Sequence, residues 1–380
     1  MNRVLARRTT GLAVLSMVGA LTVAACSPPD NSSGSSPTNA GGVSAATATS
    51  AKALGGMDAL VAAAKKEGQL NTIALPPDWA NYGEITKAFT AKYGIKINNS
   101  QPDADSATEI STAKRLKGQG SAPDVFDLGT VVAVANTDMY APYMTSSFDK
   151  IPDTFKDPKG TWVNDYGGYM SIGYDSAKVP APTSVNDLMK PQFQGKVALN
   201  GDPTKAAAAF AGVQMVSLTQ GGSLSDISKG VDFFKKLKSA GNFIPVDPTP
   251  ATVQSGQTPV VIDWDYLNAA LTAKLPTWKV FVPDNAVLGG YYVQAINKNA
   301  PHPAAARLWQ EFLYSDQGQN LWLKGGARPV LFDAMKTAGT LDPEAAKALP
   351  SVTGKPVVSS PKDTADATAY LTKNWANAVG

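Results

Sequence analysis

Four short stretches of this 380-residue chain carry the residues that could do chemistry. Residues 76–82, Pro-Pro-Asp-Trp-Ala-Asn-Tyr, set Trp79 and Tyr82 three positions apart behind two prolines. Residues 128–131 place Thr130 after Gly129, and residues 200–204 hold Asp202 before Pro203. Residues 263–266, Asp-Trp-Asp-Tyr, put Trp264 between Asp263 and Asp265. Ring faces, carboxylates and hydroxyls on loops are the material of a small-molecule site. The remaining inventory is restrictive. One His and one Cys exclude zinc sites built on those ligands. A Ser-His-Asp triad would have to use His302, which in Asn-Ala-Pro-His-Pro reads as a helix entrance with Pro303 at the first helical position. No Gly-x-Ser-x-Gly and no P-loop pattern occurs, which argues against an elbow-type hydrolase and against nucleotide hydrolysis. Carboxylates working in pairs, as in glycosidases, stay open.

Such residues need elements to hold them. From residue 57 the chain alternates in an α/β manner. Residues 57–66 carry Leu60, Val61 and Ala64 and stop at Gly68; residues 70–75 read as a strand. Ile85, Phe89 and Tyr93 recur four apart in a helix closed by Gly94, and residues 95–97 form a second strand. Ser106-Ala107-Thr108-Glu109 has the form of a capping box opening a helix. Residues 124–128 make a strand ending at Gly129-Thr130. Residues 167–174, 196–199 and 258–262 read as further strands, with Asp202 as N-cap of an alanine-rich helix begun by Pro203. Residues 230–239 form another helix. Pro303 starts one with Leu308 and Phe312 inward, and Ser315 caps one running through Leu323 to Gly325-Gly326. Alternating strands and helices indicate a mostly parallel sheet, and ligands bind beyond the carboxyl ends of its strands, where the four stretches fall. Two α/β lobes with these loops facing each other would enclose a cleft.

The N-terminus has its own logic. Arg3, Arg7 and Arg8 precede an uncharged stretch, residues 11–25, that is too short and too rich in small residues for a membrane span and fits an export signal. It ends in Val23-Ala24-Ala25-Cys26, which resembles the lipobox of bacterial lipoproteins, where the cysteine is lipidated and becomes the first residue. Residues 27 to about 50 are Ser, Pro, Gly, Asn, Ala and Thr, a composition that buries too little to order itself and reads as a tether. Beyond the signal the remaining basic residues balance 31 acidic ones, so no electrostatic footprint for nucleic acid exists. No later apolar run spans a bilayer, and a single cysteine permits no internal disulfide.

From residue 57 to 345 the sequence resembles the extracellular solute-binding proteins of bacterial ABC importers, of the two-crossing type 2 kind that includes polyamine and ferric-iron binders. The resemblance is carried by AAKKEGQL, by FTAKYGIKI after the first loop, by GGYMSIGYDSAKVPAPTSVNDLMKPQFQGKVAL, and by INKNAPHPAAARLWQEFLYSDQGQNLWLKGGARPVL, in that order and spacing. It implies an α/β, two-lobed type 2 periplasmic-binding-protein fold, each lobe a mixed, mostly parallel sheet flanked by helices, with the cleft between. The expected division is a signal at 1–25, a tether at 26–55, a first lobe at 56–165, a second at 166–284, and a return to the first with C-terminal helices at 285–380. The implied protein is an extracytoplasmic, lipid-anchored, monomeric, non-enzymatic receptor. It needs no cofactor and no metal, takes a small solute, and hands it to the permease subunits at the membrane.

The polyamine members carry Trp-Thr-Glu-Tyr in the first loop. Here Trp79-Ala80-Asn81-Tyr82 matches it, so Trp79 and Tyr82 carry over, and the family's later Trp falls on Trp264. Aromatic rings flanked by Asp78, Asp263 and Asp265 suit an organic cation, whose charge ring faces attract and whose N–H groups carboxylates accept. The expected site therefore joins Trp79, Tyr82, Thr130, Asp202, Asp263, Trp264, Asp265, Tyr291 and Tyr292. The pattern departs at Gly129 and Val131, and near Tyr291-Tyr292, where a Trp-x-Asp is missing. Tyr291-Tyr292 suggests ferric iron held by phenolates, although the family's pair aligns with Asp265-Tyr266. Phosphonates or sugar phosphates would need residues 200–204, where Asp202 opposes an anion, or the charge of Lys205 or Arg328. A secreted hydrolase using paired acids is the reading from another class.

Overall fold

The computed structural model describes residues 43–350 and 352–380; Cys26, the export signal and most of the expected tether lie outside the described residues. The first segment holds α1 (Met57–Glu67), β1 (Gln69–Ile73), α2 (Tyr82–Tyr93), β2 (Lys96–Ser100), α3 (Ser106–Arg115), β3 (Val125–Gly129), α4 (Thr130–Ala135) and β4 (Tyr140–Ala141). The middle holds β5 (Val163–Asp175), β6 (Val197–Leu199), α5 (Ala207–Thr219), α6 (Ser228–Ser239), α7 (Pro250–Ser255), β7 (Val260–Trp264), α8 (Asp265–Leu271) and β8 (Trp278–Phe281). The return holds β9 (Leu288–Asn297), α9 (Pro303–Leu313), α10 (Asp316–Lys324), β10 (Arg328–Pro329), α11 (Phe332–Ala338), α12 (Pro343–Lys347), β11 (Val357–Val358) and α13 (Pro361–Val379).

β5 organises the molecule. Its first half pairs antiparallel with β9, from Val163 opposite Gln294 to Tyr169 opposite Gly289, with a register shift between Asn164 and Gly167. Its second half lies antiparallel to both β7 and β8. One strand thus runs from the sheet that holds β3, β4 and β9 into the one that holds β6, β7 and β8, and residues 282–287 make the return. Gly167 and Gly168 allow the bend: a Cβ on Gly167 would lie 2.1 Å from the Gly290 carbonyl, and one on Gly168 2.3 Å from Asp265 Oδ1. The α/β two-lobed fold stands, with one correction. Only β1 with β2, β6 with β7 and β11 with β9 pair in parallel; the ladders of β5 and β9 with their other neighbours are antiparallel. A long strand that crosses between lobes and one that returns must run against each other, which alternation of helix and strand does not reveal.

Three local expectations are also corrected. The tether does not reach residue 55: Ala45, Ala48, Ala51 and Leu54 are buried in the main core. Arg307, 1 % exposed, donates to the carbonyls of Ala48 (2.7 Å), Ala46 (2.9 Å) and Pro303 (3.0 Å), binding this stretch to α9. The N-cap of α3 is Asp105, which accepts the Thr108 N–H at 2.8 Å, rather than Ser106. Finally, α5 begins at Ala207 and not at Pro203, because the Asp202 carboxylate turns back on the Thr204 N–H (2.9 Å) and hydroxyl (2.8 Å) and closes a tight turn first.

Candidate functional site

Between the two sheets lies a cleft of about 610 Å³. One wall comes from the loop after β1, from α3 and from β3; the other from residues 200–208, residues 247–253, β7 and α8. Eight carboxylic acids line it, Asp78, Asp103, Asp105, Glu109, Asp127, Asp202, Asp247 and Asp263, against two cations, Lys205 and Lys274. Trp79 and Tyr292 supply its ring faces.

The floor is built by long-range hydrogen bonds. Trp79 Nε1–H donates to the Tyr166 hydroxyl (2.8 Å), which donates to Asp127 Oδ2 (3.0 Å). The Tyr292 ring lies parallel to Tyr166 at 5.5 Å and meets Trp79 edge-on at 5.7 Å. Glu109 accepts the Asp127 N–H at 3.2 Å, and Ser106 accepts that of Gly129 at 3.0 Å, so both polar members of the apparent capping box pin β3. On the opposite wall Asp263 accepts from Asn200 Nδ2 and from the Trp264 N–H, each at 2.8 Å.

Burial dominates the electrostatics. It pushes Asp127 up to about 7, against the hydroxyls of Tyr82 and Tyr166, and pushes Asp263 up to about 7 against its two hydrogen bonds. Burial, then the charge of Asp127, raises Glu109 well above the ordinary carboxylate range. Asp165, behind Asp127, is raised by burial and by that same charge, and accepts from Gln294 at 2.9 Å.

Trp79, Asp202, Asp263 and Tyr292 all line the cleft, Asp202 at its rim 3.4 Å from Lys205. Tyr82 does not: it is fully buried, accepts from Gln294 Nε2 at 3.0 Å, and packs edge-on against Tyr166 and Trp322. Asp265 does not either. Its carboxylate is buried against Arg328 Nη1 at 2.7 Å and accepts the Tyr169 N–H at 2.9 Å, fastening α8 to the crossing strand. Thr130, Trp264 and Tyr291 line a separate cavity of about 110 Å³ to which Tyr292 also contributes. There Thr130 donates to the Tyr291 carbonyl at 3.0 Å, the Tyr291 ring packs on Phe155 at 4.7 Å, and Trp264 stacks on Tyr266 at 6.4 Å. Strand alternation separates the rings of Tyr291 and Tyr292, and only Tyr292 reaches the main cleft. Cys26 lies outside the described residues.

Sequence reasoning missed Glu109, Asp127 and Asn200. An aspartate inside the apolar strand Val-Phe-Asp-Leu was a signal for Asp127. Glu109 was hidden by its reading as a cap. Among the described residues no three His, Cys, Asp or Glu side chains converge as metal ligands, and no helix is long and apolar enough to cross a membrane.

A family model described as bacterial extracellular solute-binding protein matches residues 123–354. Three solved structures share the fold. A protein from Listeria monocytogenes, provisionally assigned as a spermidine/putrescine ABC transporter, is 13 % identical with a TM-score of 0.61 over 81 % of this chain and 99 % of its own. Iron-bound HitA from Pseudomonas aeruginosa is 20 % identical, with a TM-score of 0.58 over 80 % and 97 %. AfuA from Actinobacillus pleuropneumoniae, with fructose-6-phosphate bound, is 17 % identical, with a TM-score of 0.61 over 82 % and 98 %. At such identities the structures speak for the fold alone, while the family match spans more than half of the residues, including the crossing strand and one whole wall of the cleft. A two-lobed α/β chain with its cleft at the crossing is what that family builds, and this chain belongs to the bacterial extracellular solute-binding proteins.

Proposed function

We propose that this chain is a lipid-anchored, non-enzymatic receptor of an ABC importer that captures a small, polyamine-like organic cation and delivers it to the permease. The observation that carries the reading is a set of three carboxyls, Glu109, Asp127 and Asp263, buried at the cleft floor with no cationic side chain paired to them among the described residues. A buried charge without a partner costs several kcal/mol. An ammonium or guanidinium group brought in by the solute removes that cost, and the faces of Trp79 and Tyr292 attract its charge. The proposed contact set is therefore Trp79, Tyr292, Asp263, Asp127 and Glu109, with Asn200 orienting Asp263. Tyr82 and Asp265 take structural roles.

The other cargoes of structural relatives fit these residues less well. Phosphate groups would face the acid-rich lining, with Arg328 already engaged by Asp265. Ferric iron would want converging phenolates, and Tyr291 and Tyr292 diverge. The test is a thermal-shift panel of putrescine, spermidine, ferric citrate and fructose-6-phosphate. A ligand at a hundredfold excess over its Kd stabilises by about 2.7 kcal/mol. The amines are expected to raise the Tm, and Trp79→Ala and Asp263→Asn to abolish the rise. A rise with fructose-6-phosphate or iron and none with amines would overturn the cation reading.

A further inference from the structure

The two halves of the molecule are joined by more than the two crossings. Beyond residue 354, where the family match ends, the chain lies on the second crossing and then continues onto the other half. Gly354 sits so close to that crossing that a Cβ would fall 2.0 Å from the Asp284 carbonyl. The Val357 N–H donates to the Val287 carbonyl at 2.9 Å, and β11 adds in parallel to Leu288 and Gly289 of β9. Two residues later the chain has changed sides. The Ser359 hydroxyl donates to Gln214 Oε1 of α5 at 3.1 Å, and α5 packs on β7 of the second sheet. Ser360 then caps α13 with Asp363 in a reciprocal capping box.

α13 carries one apolar stripe, Ala367, Leu371 and Trp375, spaced four apart and buried. Trp375 packs edge-on against Phe234 of α6 at 5.4 Å and Phe243 at 6.5 Å, both in the second half. The start of the same helix faces the first half: Thr364 closes the 110 Å³ cavity together with Thr130 and Val131 of α4. The halves meet across the main cleft as well. Asp78 approaches Lys274 at 3.5 Å, and Gly129 lies so close to Ala207 that an added Cβ would fall 2.3 Å from the alanine methyl. The described arrangement is thus a closed one, with the C-terminal segment touching both halves.

We infer that residues 354–379 form a third connection between the lobes, a strap that holds the cleft toward its closed arrangement. Opening must separate α13 from α4 or pull β11 from β9, because the stripe keeps the helix on α6. Each loss is a contact made only in the closed state, so the strap biases the equilibrium before any solute arrives. This inference does not depend on which solute the cleft takes.

The experiment needs no ligand. Spin labels at Lys87→Cys in α2 and Lys178→Cys after β5 report the distance between the halves, in the full chain carrying Cys26→Ser so that no other thiol reacts. Two changes loosen the strap, Trp375→Ala and truncation after Gly354; the first is read alone if the second does not fold. The expected result is a longer-distance population, with the ratio of open to closed rising about tenfold, equivalent to about 1.4 kcal/mol. Unchanged distances in a folded variant would make the segment mere packing, and shorter distances would make it a prop. Either outcome overturns the strap.

Discussion

A carboxyl shut away from water settles its cost by holding a proton or by meeting a cation. Asp127 and Asp263, pushed up to about 7 by burial, stand where both choices are available at neutral pH. The sign follows. Because the folded state holds these protons above the unfolded pKa, the unliganded protein loses stability as pH rises from about 4 toward 7, and Asp263→Asn should flatten that slope in a Tm-against-pH series. Binding of an amine runs the other way, since the charged carboxylate is the form that binds. Below pH 7 the Kd should rise, by up to about tenfold per pH unit for each carboxyl that must release its proton. Titration calorimetry at pH 8 and pH 6 checks this, and a Kd equal at both would remove these carboxyls from the site.

At the scale of elements, the positions of functional residues are set by what each element packs against. Tyr82 stands one turn before Ile85 on the buried stripe of α2 that also holds Phe89, so the helix takes it inward. Asp265 opens α8, but α8 lies over the glycine-rich bend of β5, so its carboxylate turns to Tyr169 and Arg328 rather than to solute. Residues 43–54 illustrate the same rule from the other side. Their small side chains carry little driving force, and the guanidinium of Arg307, held by backbone carbonyls and set 5.6 Å from the Tyr143 ring, supplies what composition lacks. Arg307→Ala should cost about 2–4 kcal/mol in urea unfolding. It should also remove amide-exchange protection from Ala48 and its neighbours before the rest of the molecule; loss of global stability with that stretch still protected would contradict the role.

For the whole molecule, the function rests on two halves that share few covalent links and many contacts across the cleft. The Asp78–Lys274 pair at the mouth is half-exposed, so its contribution is small, about 0–1 kcal/mol. Lys274→Gln should speed solute release by no more than about fivefold, with the gain shrinking in high salt; stopped-flow release rates at two ionic strengths measure it, and a much larger effect would place Lys274 on the solute itself. The buried Asp265–Arg328 pair, in contrast, sits at the crossing strand and fixes the pivot.

The sequence by itself determined the class of this protein and most of its elements. Apolar periodicity, glycine stops and caps act over a few residues, so α1, α2, α6, α9 and α10 could be placed to within a residue or two, and the order of its motifs marked a solute receptor. The same local signals put Trp79 and Asp263 on loops at the ends of strands. What they could not decide was partnership over long distances. Whether Glu109 caps its own helix or reaches β3, whether Asp265 meets solute or Arg328, and which of two adjacent tyrosines faces the cleft depend on chain brought together from more than sixty positions away or on the face a strand presents. Antiparallel pairing of β5 with β9, the docking of residues 43–54 and the C-terminal strap are of the same kind. Burial and hydrogen bonding between remote segments are properties of the packed chain, and only the tertiary structure holds them.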